Sequence, residues 1–493
     1  MSTLFAMMNI ASRAMIAQQK NVQVIEQNVT NANTEGYHRQ EAVFKNGMPY
    51  GDIRFKSSTG GGQFGTGVVV EEIKRFSLEF FDDRYRLELG QNARWEMENK
   101  ILKQLEATLE ETGSDGLIAR LDDFWSGWQI LNGDPSNTAI RADLRDRAQA
   151  LVVAFNQRAE QLTMLREDQD LTIQARVDEI NEVATQIAAL NREIPRVRSL
   201  NNEPNDLLDE RDRLLDRLTE ISGIVAKTQE NGETIVSIGG HVLVVGTNTN
   251  TLSTEIDITN DNLSRIVWSD GLSLNVTSGE LEGLFDARDN IIKDQMTGLD
   301  QVAQTLHDQV NQAHIHGYSI NNPMGFVPPP PPAPLPVDAT AYNFFDLKMV
   351  PGMISSRLIL DSHITDPIDG LGNIAAAAGP NYAPGDGNNA LVISDLQRAL
   401  VLNSNSTSIN DYYSEQVASL GLIVSRSKTS AADHASIMKS LGESRDEVSG
   451  VSSDEEAVKL MQSQKAYNSA ARVLTTVDEM LDRVINNMGR VGI

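Results

Sequence analysis

Histidines are the first residues of this chain whose types and spacing could do chemistry. His307 and His314 stand seven residues apart, His316 follows closely, and three imidazoles can hold a metal ion. Their spacing matches no recognised ligand motif, because the chain contains no His-x-x-x-His and no carboxylate stands at a known ligand spacing from them. His38 has no base or nucleophile near it in sequence. We therefore predict no metal, no cofactor and no catalytic residue.

Carboxylates and glycines also have non-catalytic interpretations. In the stretch LLDERDRLLDRL (207–218), acidic and basic residues alternate at helical spacings, which is typical of a salt-bridged, solvated or intersubunit helix face. The glycine-rich stretch STGGGQFGTGVVV (58–70) lacks the lysine and the following helix of a phosphate loop, so we predict a hairpin tip or a loop that contacts another subunit. Asn28-Val29-Thr30 matches the glycosylation sequon, but it lies on a predicted helix. The sequence predicts a protein that is not an enzyme.

Composition excludes several classes of partner. The chain has 493 residues, a formal net charge of −26 and no cysteine. A nucleic acid would favour a basic stripe, and an anionic membrane would repel this charge. The start of the chain lacks the charged segment and apolar run of a cleaved signal peptide, and no stretch is long and apolar enough to span a membrane. We expect neither nucleic acid nor membrane as a partner.

The N-terminal segment predicts a helix with one narrow apolar stripe. Over the first thirty residues, the stripe recurs at alternating spacings of four and three, as in a coiled-coil seam. Small or polar members such as Gln18 make its burial thin, so an isolated helix would be marginally stable. The predicted seam residues are Leu4, Met8, Ala11, Met15, Val22, Ile25 and Val29.

The last forty residues repeat this design. Ser452 or Ser453 is a good N-cap, and three acidic residues follow at the positive end of the helix. The apolar pattern needs one three-residue slip, between Leu474 and Val477, which would overwind a coiled coil locally. The predicted seam residues are Leu460, Tyr467, Ala471, Leu474, Leu481, Val484 and Met488. Two helices with such narrow stripes are expected to pair with each other and with neighbouring subunits.

Between the ends, the sequence predicts a helical body with β structure at its centre. Asn231-Gly232 and Gly239-Gly240 predict hairpin turns in a small antiparallel unit. Thr277 and Glu280 predict a capping box at the start of a helix. The polyproline stretch 327–337 lies in a variable region. The predicted helices lie near 88–131 with a break at 111–116, from Asp134 as N-cap to a break or kink at Pro195, and near 204–222, 279–316 and 408–444. The fold class is mainly α with a β-rich insertion (α+β, multidomain).

The stretch NVTNANTEGYHRQ (28–40) stands where the first seam ends. Asparagines can cap free carbonyls there, and Gly36 can supply the positive φ that the third position of a turn requires. We therefore predict a joint between the terminal helix and the body. Its turn residues are Asn31, Asn33, Thr34, Gly36 and Tyr37.

These segments resemble one family. NVTNANTEGYHRQ resembles the Asn-x-x-Asn-x-Asn-Thr-Pro-Gly-Tyr signature of flagellar rod, hook and hook-associated axial proteins, with Glu35 where proline is usual. GVSSDEEAVKLMQSQKAYNSAARVLTTVDEMLDRVI resembles the closing helix of these proteins. SGELEGLFDARDNII and APGDGNNALVISDLQ are more similar to the flagellar hook-associated protein 1 family, the hook–filament junction proteins, than to hook or rod proteins. Glu35 keeps the turn possible but loses the rigidity that proline supplies.

The resemblance implies a structural axial protein that joins hook and filament by self-assembly through its terminal helices. The implied partners are copies of itself in a ring of about eleven, the hook protein, a second hook-associated junction protein and, before secretion, an export chaperone. The implied location is extracellular, in the bacterial flagellum, after type III export without a cleaved signal peptide. The alternatives are another flagellar axial protein, such as hook or a different hook-associated protein, and a helical ligand-binding module.

The nested order of the elements predicts three domains. The terminal coiled-coil domain, which would form the inner tube, comprises 1–35 and 455–493. The long-helix rod domain comprises 36–223, 279–318 and 386–454. The β-rich outer insertion comprises 224–278 and 319–385.

Overall fold

The fold is mainly helical with short antiparallel strands at the centre of the sequence, as predicted. The computed structural model describes residues 2–47, 65–109, 113, 116–200, 202–321, 342–379 and 382–487. Most of the glycine-rich stretch 58–70 and all of the polyproline stretch 327–337 lie outside the described residues.

The described residues form the following elements. The helices are α1 (Ser2–Thr30), α2 (Glu79–Leu109), α3 (Leu117–Gly133), α4 (Thr138–Arg198), α5 (Asn205–Ser222), α6 (Glu280–Phe285), α7 (Ile292–His316), α8 (Ile354–Arg357), α9 (Ser362–Thr365), α10 (Asn388–Asp395), α11 (Ile409–Ser449) and α12 (Ser453–Asp482). The strands are β1 (Gln40–Asn46), β2 (Val68–Arg75), β3 (Val225–Thr228), β4 (Thr234–Ile238), β5 (His241–Val245), β6 (Asn248–Thr249), β7 (Leu252–Asp257), β8 (Leu263–Trp268), β9 (Phe345–Leu347) and β10 (Leu358–Leu360).

The long helix α4 is the axis of the body. Its 61 residues bury an apolar stripe that includes Leu144, Phe155, Leu162 and Ile180. The predicted cap at Asp134 is wrong: the helix begins at Thr138, and the Asn137 side chain accepts the Ala139 N–H at 3.0 Å. Residues 134–137 form a turn instead, closed by the Asn137 N–H on the Asp134 carbonyl at 3.3 Å.

Proline 195 does not end α4. The helix continues to Arg198, and the Pro195 carbonyl accepts the Ser199 N–H at 2.9 Å. Pro195 stands in the last turn of the helix, and only residues 196–198 follow it. The helix therefore loses only the hydrogen bond that the missing N–H of Pro195 would have donated.

Polar side chains on the C-terminal half of α4 bind the backbone of the central strands. Asn191 donates to the Thr234 carbonyl at 2.8 Å and accepts the Thr234 N–H at 2.9 Å. Asn181 does the same with Leu252, at 2.9 Å in both directions. These contacts satisfy buried backbone groups at the strand ends and hold β3–β8 along this half of the helix.

The strands of this unit pair as the turn residues predict. Gly239 and Gly240 have φ of +55° and +87° and lie between β4 and β5, where Ile238 pairs with His241. Two consecutive residues with positive φ are the signature of a two-residue hairpin loop. The hairpin prediction at Gly239-Gly240 is confirmed.

The predicted capping box at Thr277 and Glu280 is wrong. The residue before α6 is Gly279, with φ +86° and no side-chain cap. A Cβ atom there would lie 2.6 Å from the Ser222 backbone nitrogen, so only glycine permits this approach to the end of α5. Its N–H is donated to the Gly90 carbonyl at 2.8 Å, which is a tertiary partner that local sequence cannot reveal.

Residues 342–377 contact the N-terminal half of α4, away from β3–β8. Arg141 donates to the Ile374 carbonyl at 2.8 Å, and Asn156 donates to the Leu358 carbonyl at 2.9 Å. The rings of Trp128 and Phe344 lie 5.1 Å apart and belong to an aromatic core with α3. The two β-rich segments therefore lie on different stretches of α4.

His314 is a structural residue of this aromatic core. Its Nδ1 lies 2.8 Å from the Tyr342 carbonyl, and its Nε2 accepts the Ala375 N–H at 3.0 Å. Burial lowers the pKa of this imidazole to about 4, since the neutral ring satisfies both contacts and a charged ring would not. His307 instead faces Asp308 near the surface, so the structure does not bring these two rings to one site.

We expect the His314 imidazole to make the body sensitive to mild acid. An unfolded chain binds this proton below about pH 6.5 and the folded chain only below about pH 4, so stability falls by about 2 kcal/mol between pH 7 and pH 5. Urea unfolding of wild type and His314→Gln at both pH values measures this contribution. His316→Gln, an exposed residue of the same helix, should keep the wild-type pH dependence. Equal pH dependence of His314→Gln and wild type would contradict the assignment.

Candidate assembly surface and the joint that carries it

The two terminal helices pair antiparallel. Asn28 Nδ2 of α1 donates to Glu456 Oε2 of α12 at 2.9 Å, and Asn21 Nδ2 donates to Ser463 Oγ at 2.6 Å. Both contacts step by seven residues on each helix and in opposite directions, which defines one register. We call α1 and α12 together the terminal pair.

The predicted seam of α1 is mostly covered. Ala11 and Ile25 are buried, and Val29 is 43% exposed. The half-buried members are Leu4, Met8, Met15 and Val22. Ala17, Val24 and Asn28 are buried as well, although they lie outside the predicted seam. The helix therefore has two covered stripes.

The second stripe exists because the hairpin of β1 and β2 also packs on α1. Arg13 donates to the Thr66 carbonyl at 3.4 Å, and a Cβ atom on Gly67 would lie 3.3 Å from Ile10. Ala17 and Val24 are apolar, so a search for two adjacent stripes could have found them. Asn28 is polar, and apolar periodicity passes over it.

On α12, the seam runs without the predicted slip. The covered residues alternate at spacings of four and three from end to end: Glu456, Leu460, Ser463, Tyr467, Ala470, Leu474, Val477, Leu481 and Val484. Ala471 is half-buried beside this seam, and Met488 lies outside the described residues. The predicted slip is wrong because Glu456 and Ser463 belong to the seam, where each accepts a hydrogen bond from α1. A search for apolar residues passes over these two polar side chains and chooses neighbouring positions instead.

Large apolar side chains remain on the outside of the terminal pair. On α1, Phe5 and Ile16 are 47% and 55% exposed. On α12, Met461 is 55% exposed, and Val458, Val473 and Met480 are exposed too; Ile485, just after this helix, is 62% exposed. Apolar residues repeated along a helix pair are a feature of surfaces that contact other proteins.

The joint turn begins directly after α1. The Thr34 N–H is donated to the Asn31 carbonyl at 2.9 Å, and the Tyr37 N–H to the Thr34 carbonyl at 3.2 Å. Gly36 has φ +76° at the third position of the second turn, as predicted, and Glu35 fills the position before it. Asn33 is exposed, whereas the Tyr37 hydroxyl donates to Asn28 Oδ1 at 2.9 Å. The turn thus returns the chain to the helix it has just left.

Behind the turn lies a buried set of charges that we call the joint cluster: His38, Arg75, Asp82, Arg86, Asp209, Asp212, Asp216 and Arg445. Arg75 Nη1 lies 2.7 Å from both Asp209 and Asp212. Arg86 contacts Asp212 at 3.1 Å and Asp216 at 2.7 Å.

The remaining members tie the ends of the body into the same cluster. Arg445 of α11 contacts Asp82 of α2 at 2.8 Å and Asp216 of α5 at 3.0 Å. His38 Nδ1 lies 2.8 Å from Asp209, and His38 itself is buried. The joint turn, β2, α2, α5 and α11 all contribute one or more charged side chains to it.

The acidic face of α5 is therefore not a solvated face. Arg213 is exposed and forms an ion pair at 2.6 Å with Glu210 of the same helix, as the local pattern predicts. The aspartates at 209, 212 and 216 instead point to guanidiniums from other elements. Helical spacing alone does not distinguish these two faces, because both carry alternating charges.

Pairing determines the charge state of the cluster. Burial would raise the pKa of the Asp212 carboxyl, and the guanidiniums of Arg75 and Arg86 outweigh it and hold that pKa at about 2. For Asp82, burial raises the pKa although Arg445 opposes it.

Among the described residues, no group of three or more histidine and carboxylate side chains is placed to hold a metal ion. None of the described helices is long and apolar enough to cross a membrane.

Three family models match stretches of this chain. A family model described as the flagellar hook-associated protein FlgK helical domain matches residues 102–326. The flagella basal body rod protein model matches 8–38, which is α1 with the joint turn, and the flagellar basal body rod FlgEFG protein C-terminal model matches 443–488, which is chiefly α12.

Full-length relatives carry the same description. Flagellar hook-associated protein 1 of Bacillus subtilis is 27% identical over 99% of this chain and 99% of its own length. The protein of that name from Escherichia coli is 25% identical over 98% of this chain and 99% of its own. The solved flagellar hook junction protein FlgK from Burkholderia pseudomallei has the same fold, with a TM-score of 0.63 and 16% identity over 74% of this chain and 99% of that one.

A terminal helix pair of the rod and hook type, joined to a long-helix body, defines a flagellar axial protein, a structural component of the bacterial flagellum. Such a protein assembles with other flagellar components, such as hook proteins. Within this class, the chain is similar to flagellar hook-associated protein 1 along nearly its whole length and forms the junction between hook and filament.

We expect Asp212→Asn to destabilise the joint by about 3 kcal/mol, because it leaves buried guanidiniums of Arg75 and Arg86 undercompensated. Urea unfolding at pH 7 measures the loss. The carboxyl has a folded pKa near 2 and an unfolded value near 3.8, so its contribution is complete above pH 3.8 and disappears as pH falls towards 2. Glu210→Gln, on the exposed face of the same helix, should change stability by less than about 1 kcal/mol. Equal effects of the two variants would contradict a buried cluster.

We expect Gly36→Ala to cost about 1–2 kcal/mol, because an L-residue is strained at φ +76°. The new Cβ atom would lie 3.7 Å from Arg213 Cβ, an ordinary contact, so the cost is the backbone strain alone. Thermal unfolding measures it. Gly421→Ala in α11, where a Cβ atom meets nothing within 4 Å, should stabilise by about 0.5–1 kcal/mol. Destabilisation by both variants, or by neither, would argue against the turn geometry.

Proposed function

We propose that the terminal pair is the self-assembly surface of this junction protein. The observation that carries the proposal is the row of exposed apolar side chains on α1 and α12, among them Ile16 and Met461. Fully burying a side chain of this size contributes about 1.5–3 kcal/mol, so several per copy would stabilise a closed assembly. The covered residues of the two helices hold the pair together, and the exposed residues beside them contact neighbouring copies.

In this proposal the copies form a ring of about eleven, because a repeated head-to-tail contact closes when its rotation divides the circle. The hook protein contacts one side of the ring, and a second hook-associated junction protein contacts the other. The family resemblance supports the number and these two partners.

In the proposed domain division, the joint turn separates the terminal helices from the rest of the chain. Residues 1–35 and 455–493 form the inner tube, the long helices form the rod, and the β-rich segments lie outside it. The positions of β3–β8 and of residues 342–377 on opposite halves of α4 support two outward-facing parts. The hairpin of β1 and β2, which the sequence assigns to the rod, packs on α1 and would lie near the tube.

We further propose that the chain reaches the flagellum by type III export, held by a chaperone and without a cleaved signal peptide. Thin apolar seams support terminal helices that are only marginally stable in the single chain and gain stability when neighbouring copies cover them. The lack of cysteine suits passage into an oxidising environment. No catalytic role is proposed, and the pairing of Asp209, Asp212 and Asp216 with guanidiniums supports a structural function for the buried carboxylates.

We expect Met461→Asp to abolish assembly while leaving the monomer intact, because this side chain is 55% exposed and a charge there would be buried only between copies. Purified chain is followed by far-UV circular dichroism, and assembly is followed by motility and by the amount of the chain in isolated flagella. Gln464→Asp, on an exposed polar position of α12, is the matched control and should assemble normally. Assembly of Met461→Asp at the wild-type level would overturn the proposed surface.

Two further measurements complete this test. Ile25→Asp changes a buried residue of the pair and should raise hydrogen exchange in α1 and α12 even in the monomer. A strain lacking the chain should keep its hooks and release unassembled filament subunits. Normal filaments in that strain would contradict the junction function.

A further inference from the structure

The apolar seam of the terminal pair does not define its own register. On α12 the covered apolar residues recur at each heptad, and they are of similar size, as Leu460, Leu474 and Leu481 illustrate. A shift of seven residues along α1 again places apolar residues opposite apolar residues. Repeating seams of this kind need another element to select one alignment.

Asn28 has the contacts that such an element requires. It is completely buried, and all four hydrogen-bonding positions of its amide are used. Its Nδ2 donates to Glu456 Oε2 at 2.9 Å and to the Gln40 carbonyl at 2.8 Å. Its Oδ1 accepts the Gln40 N–H at 3.0 Å and the Tyr37 hydroxyl at 2.9 Å. One side chain therefore joins α1, α12, β1 and the joint turn.

The partner carboxylate is buried to the same degree. Glu456 is 1% exposed, and its other oxygen accepts Lys459 Nζ at 2.7 Å. Seven residues further along α12, Ser463 is 4% exposed and accepts Asn21 Nδ2 in the same register. The pair thus has two polar contacts one heptad apart.

We propose that the contact of Asn28 with Glu456, which we call the Asn28 clamp, selects the register of the terminal pair and so determines which exposed residues the pair presents to neighbouring copies. The choice of register is a property of the single chain. Only its consequence for neighbouring copies rests on the proposed self-assembly surface.

A shifted register leaves buried polar groups without their partners. If α12 slides by one heptad so that Ala14 faces Val477, Asn28 comes opposite the Ser463 hydroxyl, Glu456 loses the Asn28 amide, and Asn21 faces Ala470. Each buried group that loses its partner costs about 1–3 kcal/mol. The clamp also ties α12 to the joint turn, so the pair leaves the joint in a single alignment.

The absence of cysteine permits a direct test of register in the full-length chain. Moving seven residues beyond the Asn21–Ser463 contact places Ala14 opposite Ala470. The pair Ala14→Cys with Ala470→Cys therefore reports the native register, and Ala14→Cys with Val477→Cys reports a shift of one heptad. The effective concentration for disulfide formation is measured against glutathione for each pair, and it is normalised to the same pair unfolded in urea.

In the otherwise unchanged chain, we expect the native pair to exceed the shifted pair by at least tenfold. In the double variant Asn28→Leu with Glu456→Leu, where apolar side chains of similar length keep the seam covered, the ratio should fall to about one. Asn9→Leu adds an apolar side chain to an exposed position of α1 without touching the clamp, and it should keep the tenfold preference.

Three results would overturn the clamp. The first is an unchanged preference in the double variant that lacks the clamp, and the second is no preference in the parent chain. The third is a fall of both pairs to the urea value, which would make the contact necessary for pairing but not for register. None of these readouts involves assembly, so a failure of the clamp is distinct from normal assembly of Met461→Asp, which would contradict the proposed surface.

Discussion

Pairing of the buried aspartates of α5 is the constraint on which the rest of the structure depends. Asp212 is buried, the side chains of Asp209 and Asp216 are 12% and 20% exposed, and all three pair with guanidiniums from other elements. The cations come from Arg75 of β2, Arg86 of α2 and Arg445 of α11, and α11 is far from the other two elements in sequence. Satisfying three charges therefore brings the start and the end of the body together. The terminal helices leave the body from this place and meet because of it.

The terminal pair shows a different balance of forces. Many members of its seam are only half-buried, and large apolar side chains such as Ile16 and Met461 stay exposed beside it. The seam buries little apolar area, and polar contacts make the pairing specific. Asn28 and Glu456 satisfy each other only in the observed arrangement of the two helices. Apolar residues supply adhesion that many alignments would satisfy, and hydrogen bonds select among them.

Sequence reasoning was accurate where the signal is local. The terminal helices, α5, the Gly239-Gly240 hairpin and the positive φ of Gly36 follow from periodicity and turn chemistry. It was wrong where a distant partner replaced the local one. Gly279 is required by close contact with Ser222. The error at Asp134 is local, because residues 134–137 form a turn and Asn137 caps α4 instead. The α12 seam was displaced because Glu456 and Ser463 are buried by α1, which a search for apolar residues cannot anticipate.

The sequence by itself determined the helical class, the presence of a joint after α1, the absence of thiol chemistry and the resemblance to flagellar axial proteins. These properties rest on residue types and short spacings, which survive without knowledge of the fold. The tertiary structure alone decided that the aspartates of α5 form a buried cluster and that Asn28 joins four segments. The physical reason is that the residue type and spacing of a charged or amide side chain are the same whether its helix face is solvated or buried. Only the partners that folding brings to it determine whether it is solvated or holds the structure together.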